Sequence, residues 1–591
     1  MVEAAGTVDE IARVDAMKER SGFVAILALS LALAGSSAGQ APKPLRFEIA
    51  FPASVREAAV DGRVLLVIST KRDPEPRFQV GERLDTAQIF GTDAEGLAPG
   101  RAAIIDESAP GYPRESLRDV LDGEYYVQAL LSVYDTFHRA DGYTVKLHMD
   151  QGEGQHWNLS PGNLYSEPKK VRIERSGGNT ISVELTKIMP AILPPKDTKY
   201  VKHFRIESKL LSKFWGRPFY IGGVVLLPEG FDEHADARYP VMYYQGHFTR
   251  SFATPVEFRA TPPTPDLKDY DRTVAEYSYK FYQDWTAGRL PRMLIVSIQH
   301  ANPYYDDSYA VNSANIGPYG DAIVQEFMPY VEKKYRAIGE PWARVLYGGS
   351  TGGWEALAQQ VFYPDVFNGA WCNCPDPVDF RAYQTVDLYK DKSVYWMDSQ
   401  WKMVPRPSTR ENDGMLVSTF HDDARMETTL GSHGRSTEQL DAWQAVYSPL
   451  GEDGYPKAIF DKRTGAIDHE VAAYWKEHYD LRYIMERDWK TLGPKLIGKL
   501  HIKVGTRDTY YLDRAVHLLE NFLESTKEPG RGPYYGGDFD YGPDQPHCYG
   551  GDASVPVKIS RLTINQRFMP QMEAWMLKTA PKGADVKSWR Y

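Results

Sequence analysis

The chain has 591 residues, 42% hydrophobic and 25% charged, a globular composition with room for more than one core. There are 69 basic and 79 acidic residues, so the net charge is −10, and no basic patch points to nucleic acid. Its 38 tyrosines fit tyrosine-rich β structure or surfaces for sugars and aryl groups.

The N-terminus carries a targeting pattern. Lys18 and Arg20 precede the apolar run Phe23 to Ala34, and Gly35-Ser36-Ser37-Ala38 follows as a small-residue cleavage site. This is a secretory signal over residues 1–38, too short for a membrane span. Residues 1–16 are acidic and fit no signal, so Met17 reads as the start. No cysteine follows the site for a lipid anchor, and no later stretch is long and apolar enough to span a bilayer. The expected location is the periplasm or outside the cell.

Residues 39–190 read as β structure. Leu45–Phe51, Arg63–Ile68, Glu124–Leu131, Tyr143–Leu147 and Thr180–Leu185 are short strand candidates, two of them introduced by Asp-Gly turns. That pattern predicts an antiparallel sandwich. Met189 to Pro195 is a linker stiffened by three prolines.

The rhythm then changes over 196–591. Phe219–Pro228, Pro240–Tyr244 and Arg292–Ile298 are near-continuous apolar strands, and Tyr319–Tyr335 is a helix with Pro329 expected to kink it. Apolar strands alternating with helices mean a mostly parallel sheet covered on both faces. After Cys372 the sheet is interrupted by an insertion, about 376–495, with helical pieces and no clear strand, expected to form a lid or pocket. Gly498–Val504 resumes the sheet. A helix over 514–524, a loop over 529–555 and a closing helix over 563–579 follow.

Within that frame, Arg344–Tyr347 is a strand, Gly348-Gly349-Ser350-Thr351-Gly352 a tight turn, and Trp354–Val361 a helix. A serine in a sharp strand-to-helix turn, with glycine two before and two after it, is a nucleophile elbow. Serine needs a base to become nucleophilic at neutral pH. In an elbow fold the acid comes next in the chain and the histidine last. Asp508 fits the acid, on a loop after Val504-Gly505, with Asp513 as the alternative. Only His517 and His547 follow it. His517 lies within a helix, and His547 in a loop before the closing helix, so His547 is the expected base. The expected oxyanion donors are the backbone N–H groups of Thr351 and of His247, in the turn after Pro240–Tyr244.

The three cysteines are Cys372, Cys374 and Cys548, and a bond from either of the first two to Cys548 is allowed in an exported protein. Their spacing does not suit zinc. Asp538, Asp540 and Asp544 are read as an acidic turn, since they lack the order of a calcium loop.

Residues from about 215 to 580 resemble the putative esterase family of α/β-hydrolases, which includes esterase D, enterochelin esterases, feruloyl esterases and mycolyltransferases. The resemblance rests on Tyr239-Pro240-Val241, Ile295–Ile298, Pro329-Tyr330-Val331-Glu332, Gly349–Gly353 and Tyr363-Pro364-Asp365-Val366-Phe367. It departs from that family at Gln245-Gly246, Gln545-Pro546-His547 and in its long insertion. The resemblance implies an α/β-hydrolase domain preceded by an N-terminal all-β sandwich-like domain. It also implies serine ester hydrolysis through an acyl-enzyme, with no metal or other cofactor. The implied substrates are small-molecule or carbohydrate esters, hydroxycinnamate esters or siderophore lactones. Acyl transfer on the same scaffold is the alternative, ahead of a peptidase or a non-catalytic binding protein. Oligomeric state is not legible.

Overall fold

The computed structural model describes residues 44–591 except 155, 175–178, 248–257, 400 and 549–559. The expected signal segment and the start at Met17 lie outside these residues.

Each strand expected before the linker is present, with others beside it. Thr180–Glu184, Arg46–Ala50 and Ala103–Ile105 form one sheet, whose first two strands pair in parallel and so depart from the expected all-antiparallel sandwich. A larger sheet is built around Gly123–Val133, Val60–Ser69 and Gln88–Leu97. Side chains along a strand alternate between faces. Val64, Leu66 and Ile68 therefore meet Phe47, Ile49 and Val183 of the smaller sheet in one buried cluster. Leu65 and Val67 point the other way and are covered by Met426 and Leu430 from the insertion.

Beyond the linker, eight strands form one sheet. They are β1 (Val201–Glu207), β2 (Tyr220–Leu226), β3 (Val241–Gln245), β4 (Leu294–Gln299), β5 (Arg344–Gly349), β6 (Ala370–Asn373), β7 (Leu500–Gly505) and β8 (Asp538–Gly542). Their order is β1-β2-β4-β3-β5-β6-β7-β8. The β1–β2 and β2–β4 pairs are antiparallel and all later pairs parallel. This is the sheet of an α/β-hydrolase. Both faces of β5 are buried, which explains its unbroken apolar run. Leu346 packs with Trp354 and Leu357 of α1 (Thr351–Phe362). Val345 and Tyr347 pack on the opposite face with Trp285, Phe568 and Met572.

Three expectations need correcting. The helix over 319–335 does contain Pro329, but its irregularity is a π turn at Ile323–Phe327, just before the proline. There the Met328 N–H reaches back to the Ile323 carbonyl. A widened turn accommodates a residue that lacks an N–H and crowds the preceding turn. The insertion over 376–495 does contain strands, the short hairpins Trp396–Met397 with Val404–Pro405 and Pro407–Arg410 with Leu416–Thr419. The loop over 529–555 contains β8, an edge strand paired in parallel with β7.

The insertion also carries α2 (Phe420–Leu430), α3 (Gln439–Tyr447) and α4 (Leu481–Leu496). The buried Arg63 of the large N-terminal sheet donates to the Thr428 carbonyl at 2.8 Å and the Thr429 carbonyl at 3.0 Å, at the end of α2. A cation on the exposed carbonyls of a helix C-terminus is favourable. At the other end of the insertion, α4 packs against α1, so it belongs to the helix layer of the sheet and not to a lid. Last in the layer is α5 (Asp513–Ser525). No helix among the described residues is long and apolar enough to cross a membrane.

The parallel register matters for the site. Gln245 lies beside Gly348, Gly349 beside Asn373, Asn373 beside Lys503, and Gly505 beside Gly542. Strand ends that are far apart in the chain are therefore neighbours, and the loops leaving them share one edge of the sheet.

Candidate active site

Ser350 occupies the turn between β5 and α1 with φ 58° and ψ −125°, a conformation that L residues rarely hold. The two flanking glycines make that turn possible. A Cβ on Gly348 would lie 2.0 Å from the Gly352 carbonyl oxygen, and one on Gly352 would lie 2.2 Å from that of Gln245. Neither contact can be relieved, because both are with backbone. The Ser350 N–H is held by the Asn373 carbonyl at 3.0 Å, which ties the turn to the end of β6.

Ser350, His547 and Asp508 are brought together. Ser350 Oγ lies 2.9 Å from His547 Nε2, and His547 Nδ1 lies 2.8 Å from Asp508 Oδ2. Asp508 is fully buried, and its other oxygen accepts from the N–H groups of Tyr510 at 2.9 Å and Leu512 at 3.3 Å. A carboxylate so held accepts the Nδ1 proton. Nε2 is then left as the acceptor for the serine hydroxyl. The Tyr510 ring meets the imidazole edge-to-face at 4.9 Å.

Cys374 and Cys548 form a disulfide, while Cys372 stays reduced and buried. Cys372 lies within β6 and faces the apolar core, whereas Cys374 has left the strand with φ 41°. The bond therefore joins the loop after β6 to the residue following His547. Cys374 Sγ is 3.3 Å from the Ser350 N–H and 4.0 Å from His547 Nε2.

On the other side of the serine, Thr351 opens α1, where the first N–H groups have no partners within the helix. Its buried hydroxyl donates to Asp376 at 3.1 Å and lies 3.2 Å from His247 Nε2. Asp376 also accepts from Tyr309 at 2.7 Å and from the Trp443 indole at 3.1 Å. His247 Nδ1 lies 3.1 Å from Asp306 and 3.0 Å from Asp307. Burial disfavours a charged His247, but the two carboxylates outweigh it and hold its pKa well above the usual histidine value. Burial raises Asp306 to about 6 even so. Behind them, burial and the Asp307 charge raise Glu355 on α1 well above the carboxylate range, which favours its neutral form. Burial also lowers the neighbouring His300 to about 4, so it is neutral.

The other candidates lie elsewhere. Asp513 sits at the start of α5, 3.4 Å from Arg410, and His517 stacks on Tyr541 at 4.5 Å. Asp538 and Asp540 belong to β8 and not to a turn. Asp538 pairs with His501, Asp540 with Lys503 at 2.6 Å, and Asp544 with Arg507 at 2.9 Å. Two groups of donor atoms are close enough to surround an ion: Cys374, His547 and Cys548, and His247, Asp306 and Asp307. The sulfurs of the first are consumed by the disulfide, and an imidazolium between two carboxylates accounts for the second.

Asp376, Tyr309, Trp443 and the Asp306–Asp307 pair were not foreseen from sequence. Asp306-Asp307 inside the tyrosine-rich run Tyr304 to Tyr309 was the available signal, since adjacent acids among aromatics need a cationic partner.

A family model described as putative esterase matches residues 220–413, from β2 through the elbow into the insertion. No curated protein matches the chain. Among solved structures, a ferulic acid esterase is similar at 16% identity, over 63% of this chain and 98% of that one, with a TM-score of 0.33. An S-formylglutathione hydrolase from Agrobacterium tumefaciens is similar at 11% identity, over 65% and 98%, with a TM-score of 0.30. The S-formylglutathione hydrolase FrmB from Staphylococcus aureus is similar at 13% identity, over 64% and 100%, with a TM-score of 0.29. By that family match, together with the strand order of its sheet and the elbow at Ser350, the chain resembles the putative esterase family of α/β-hydrolases.

Proposed function

We propose that the chain is an exported serine ester hydrolase that works through Ser350, His547 and Asp508 and a covalent acyl-enzyme. The observation that carries this is the continuous path from Ser350 Oγ through both ring nitrogens of His547 to Asp508, with contacts of 2.9 Å and 2.8 Å. Ser350 Oγ attacks the ester carbonyl carbon as its proton passes to His547 Nε2. Asp508 holds the ring and stabilises the imidazolium. The carbonyl oxygen becomes an oxyanion facing the backbone N–H groups of Thr351 and His247, and the unpaired N–H groups at the start of α1 favour that charge. His547 then returns the proton to the departing alkoxide. Water, deprotonated by the same imidazole, releases the acid and restores Ser350.

His247 has two parts in this scheme. Its main chain donates to the oxyanion, while its ring, clamped by Asp306 and Asp307, buttresses the Thr351 side chain. The substrate is an ester of a polar or aryl-bearing molecule. Export rests on the basic and apolar pattern before Ala38.

Incubation with a fluorophosphonate probe should label Ser350, and the purified protein should hydrolyse p-nitrophenyl acetate. Ser350→Ala should lose the label and at least about 10³-fold in turnover while melting at the same temperature. A folded wild-type protein that neither takes the label nor turns over any ester ends this reading.

A further inference from the structure

A half-open pocket of about 80 Å³ adjoins the site. The insertion supplies most of its wall (Asp423, Glu427, Glu438, Thr409), with Glu82 from the N-terminal β region and Tyr510 from the loop after β7. Tyr510 is the ring that touches His547. Trp443, also in the wall, is bonded to Asp376, and Gln439 in the wall donates to Tyr309, so the cavity lies one side chain from both flanks of Ser350.

Its chemistry is one-sided. Four lining residues carry carboxyls and none carries a positive charge. Glu427 is served from behind by Lys462 at 2.7 Å, but Lys462 also serves Asp441. Asp423 has only the hydroxyls of Ser408 and Ser418. Glu438 has no cationic partner among the described residues. Two polar side chains in the wall are more than nine-tenths buried, with atoms that have no hydrogen-bond partner among the described residues. These are the Thr409 hydroxyl and the Gln384 carbonyl oxygen, on residues 8% and 6% exposed. Both atoms are reachable from the pocket and can accept from a donor placed in it.

We infer that this cavity receives a cationic group, a primary ammonium or a guanidinium, carried by the ester that Ser350 attacks. The inference rests on the esterase reading and narrows its substrate class. A cavity of about 80 Å³ holds a head group of a few heavy atoms and not a whole sugar or hydroxycinnamate. A cation there supplies the charge that Asp423, Glu438 and Glu82 lack, and its N–H groups reach Thr409 and Gln384. Burial first, and then the neighbouring acids, raise Glu438 well above the carboxylate range. Burial raises Asp423 to about 7 against the pull of its two hydroxyl partners. A bound cation reverses that cost, so its binding at neutral pH releases protons.

Two isosteric pairs test the preference, one on each side of the ester. For the acyl side they are the methyl esters of Nα-acetyl-lysine and N-acetyl-2-aminoheptanoic acid. For the alcohol side they are the acetates of 4-guanidinobutanol and 6-methylheptanol. In at least one pair the cationic ester should have a kcat/KM at least tenfold higher. Asp423→Asn with Glu438→Gln should bring that ratio to about one. Calorimetry with n-butylguanidinium and with xylose is the second arm. Wild-type and Ser350→Ala proteins should both bind the cation with proton release, the double variant should not, and xylose should not bind. Ratios near one in a protein that hydrolyses p-nitrophenyl acetate overturn the inference and leave the esterase reading intact. Binding of xylose without the cation overturns it too. If no ester is turned over, the esterase reading fails and the binding arm alone decides the cavity.

Discussion

Asp508 and the carboxyls between α2 and α3 lie on either side of Tyr510, and the protein treats them in opposite ways. Asp508 is fully buried, with two backbone N–H groups on one oxygen and an imidazole on the other. Asp423, Glu427 and Glu438 have one lysine among them, and burial raises Glu427 to about 8 despite that lysine. The contrast teaches how to tell a finished device from a receptive one. A catalytic carboxylate is completed from within the protein. A binding pocket is left short of the charge that its ligand brings.

The sharpest way to break the comparison is Asp508→Asn. An amide in that place donates to Nδ1 and forces the wrong tautomer on His547, and turnover should fall by about 10³- to 10⁴-fold with the fold intact. Steady-state kinetics on p-nitrophenyl acetate decides it. A variant that keeps a tenth of the activity removes Asp508 from its role. Next in size, Glu438→Lys should invert the cavity's preference, so that the 2-aminoheptanoate ester outruns the lysine ester by about tenfold, one 1.4 kcal/mol step in transition-state binding. An unchanged ratio places the cation elsewhere.

The disulfide belongs to the finished side. Replacing Cys374 and Cys548 together by serine releases the histidine loop from β6. It should cost about 2–4 kcal/mol of stability, read by urea unfolding, and about tenfold in turnover through misplacement of the imidazole. Full activity in a destabilised variant would make the bond purely structural.

The smallest effect concerns Glu355, buried against Asp307 and facing Asp306, His247 and His300. Burial raises its folded pKa above the unfolded value. Stability is therefore fully present below the unfolded value and is lost as pH rises, because only the unfolded chain ionises freely. Glu355→Gln keeps the neutral shape of the side chain and removes this penalty. The melting temperature should rise more at pH 8 than at pH 5, and an equal change at both would mean that Glu355 is ionised in the fold.

Much of the sheet was legible because its signals are local. Both faces of β5 are covered, so its residues are apolar throughout, and Gly348 answers to a backbone collision with Gly352 in the same turn. β8 was not legible. It is an edge strand reading Asp-Phe-Asp-Tyr between glycines, and its acids are explained only by His501 and Lys503 on the strand beside it. The pairing of Cys374 over Cys372 was likewise open, since residues two apart on a strand face the same way and only the turn of the chain at Cys374 separates the two thiols.

The chain by itself determined the sharp turn at Ser350, the order of Asp508 and His547 after it, and the alternation that builds the sheet, because these depend on near neighbours and on the periodicity of backbone geometry. Only the tertiary structure decided what surrounds the serine. His247 meets Asp306 and Asp307 across two strand ends, and Glu82 meets Glu438 across the β region and the insertion. Burial and charge are properties of what lies alongside in space, and parallel strands bring alongside what the sequence keeps far apart.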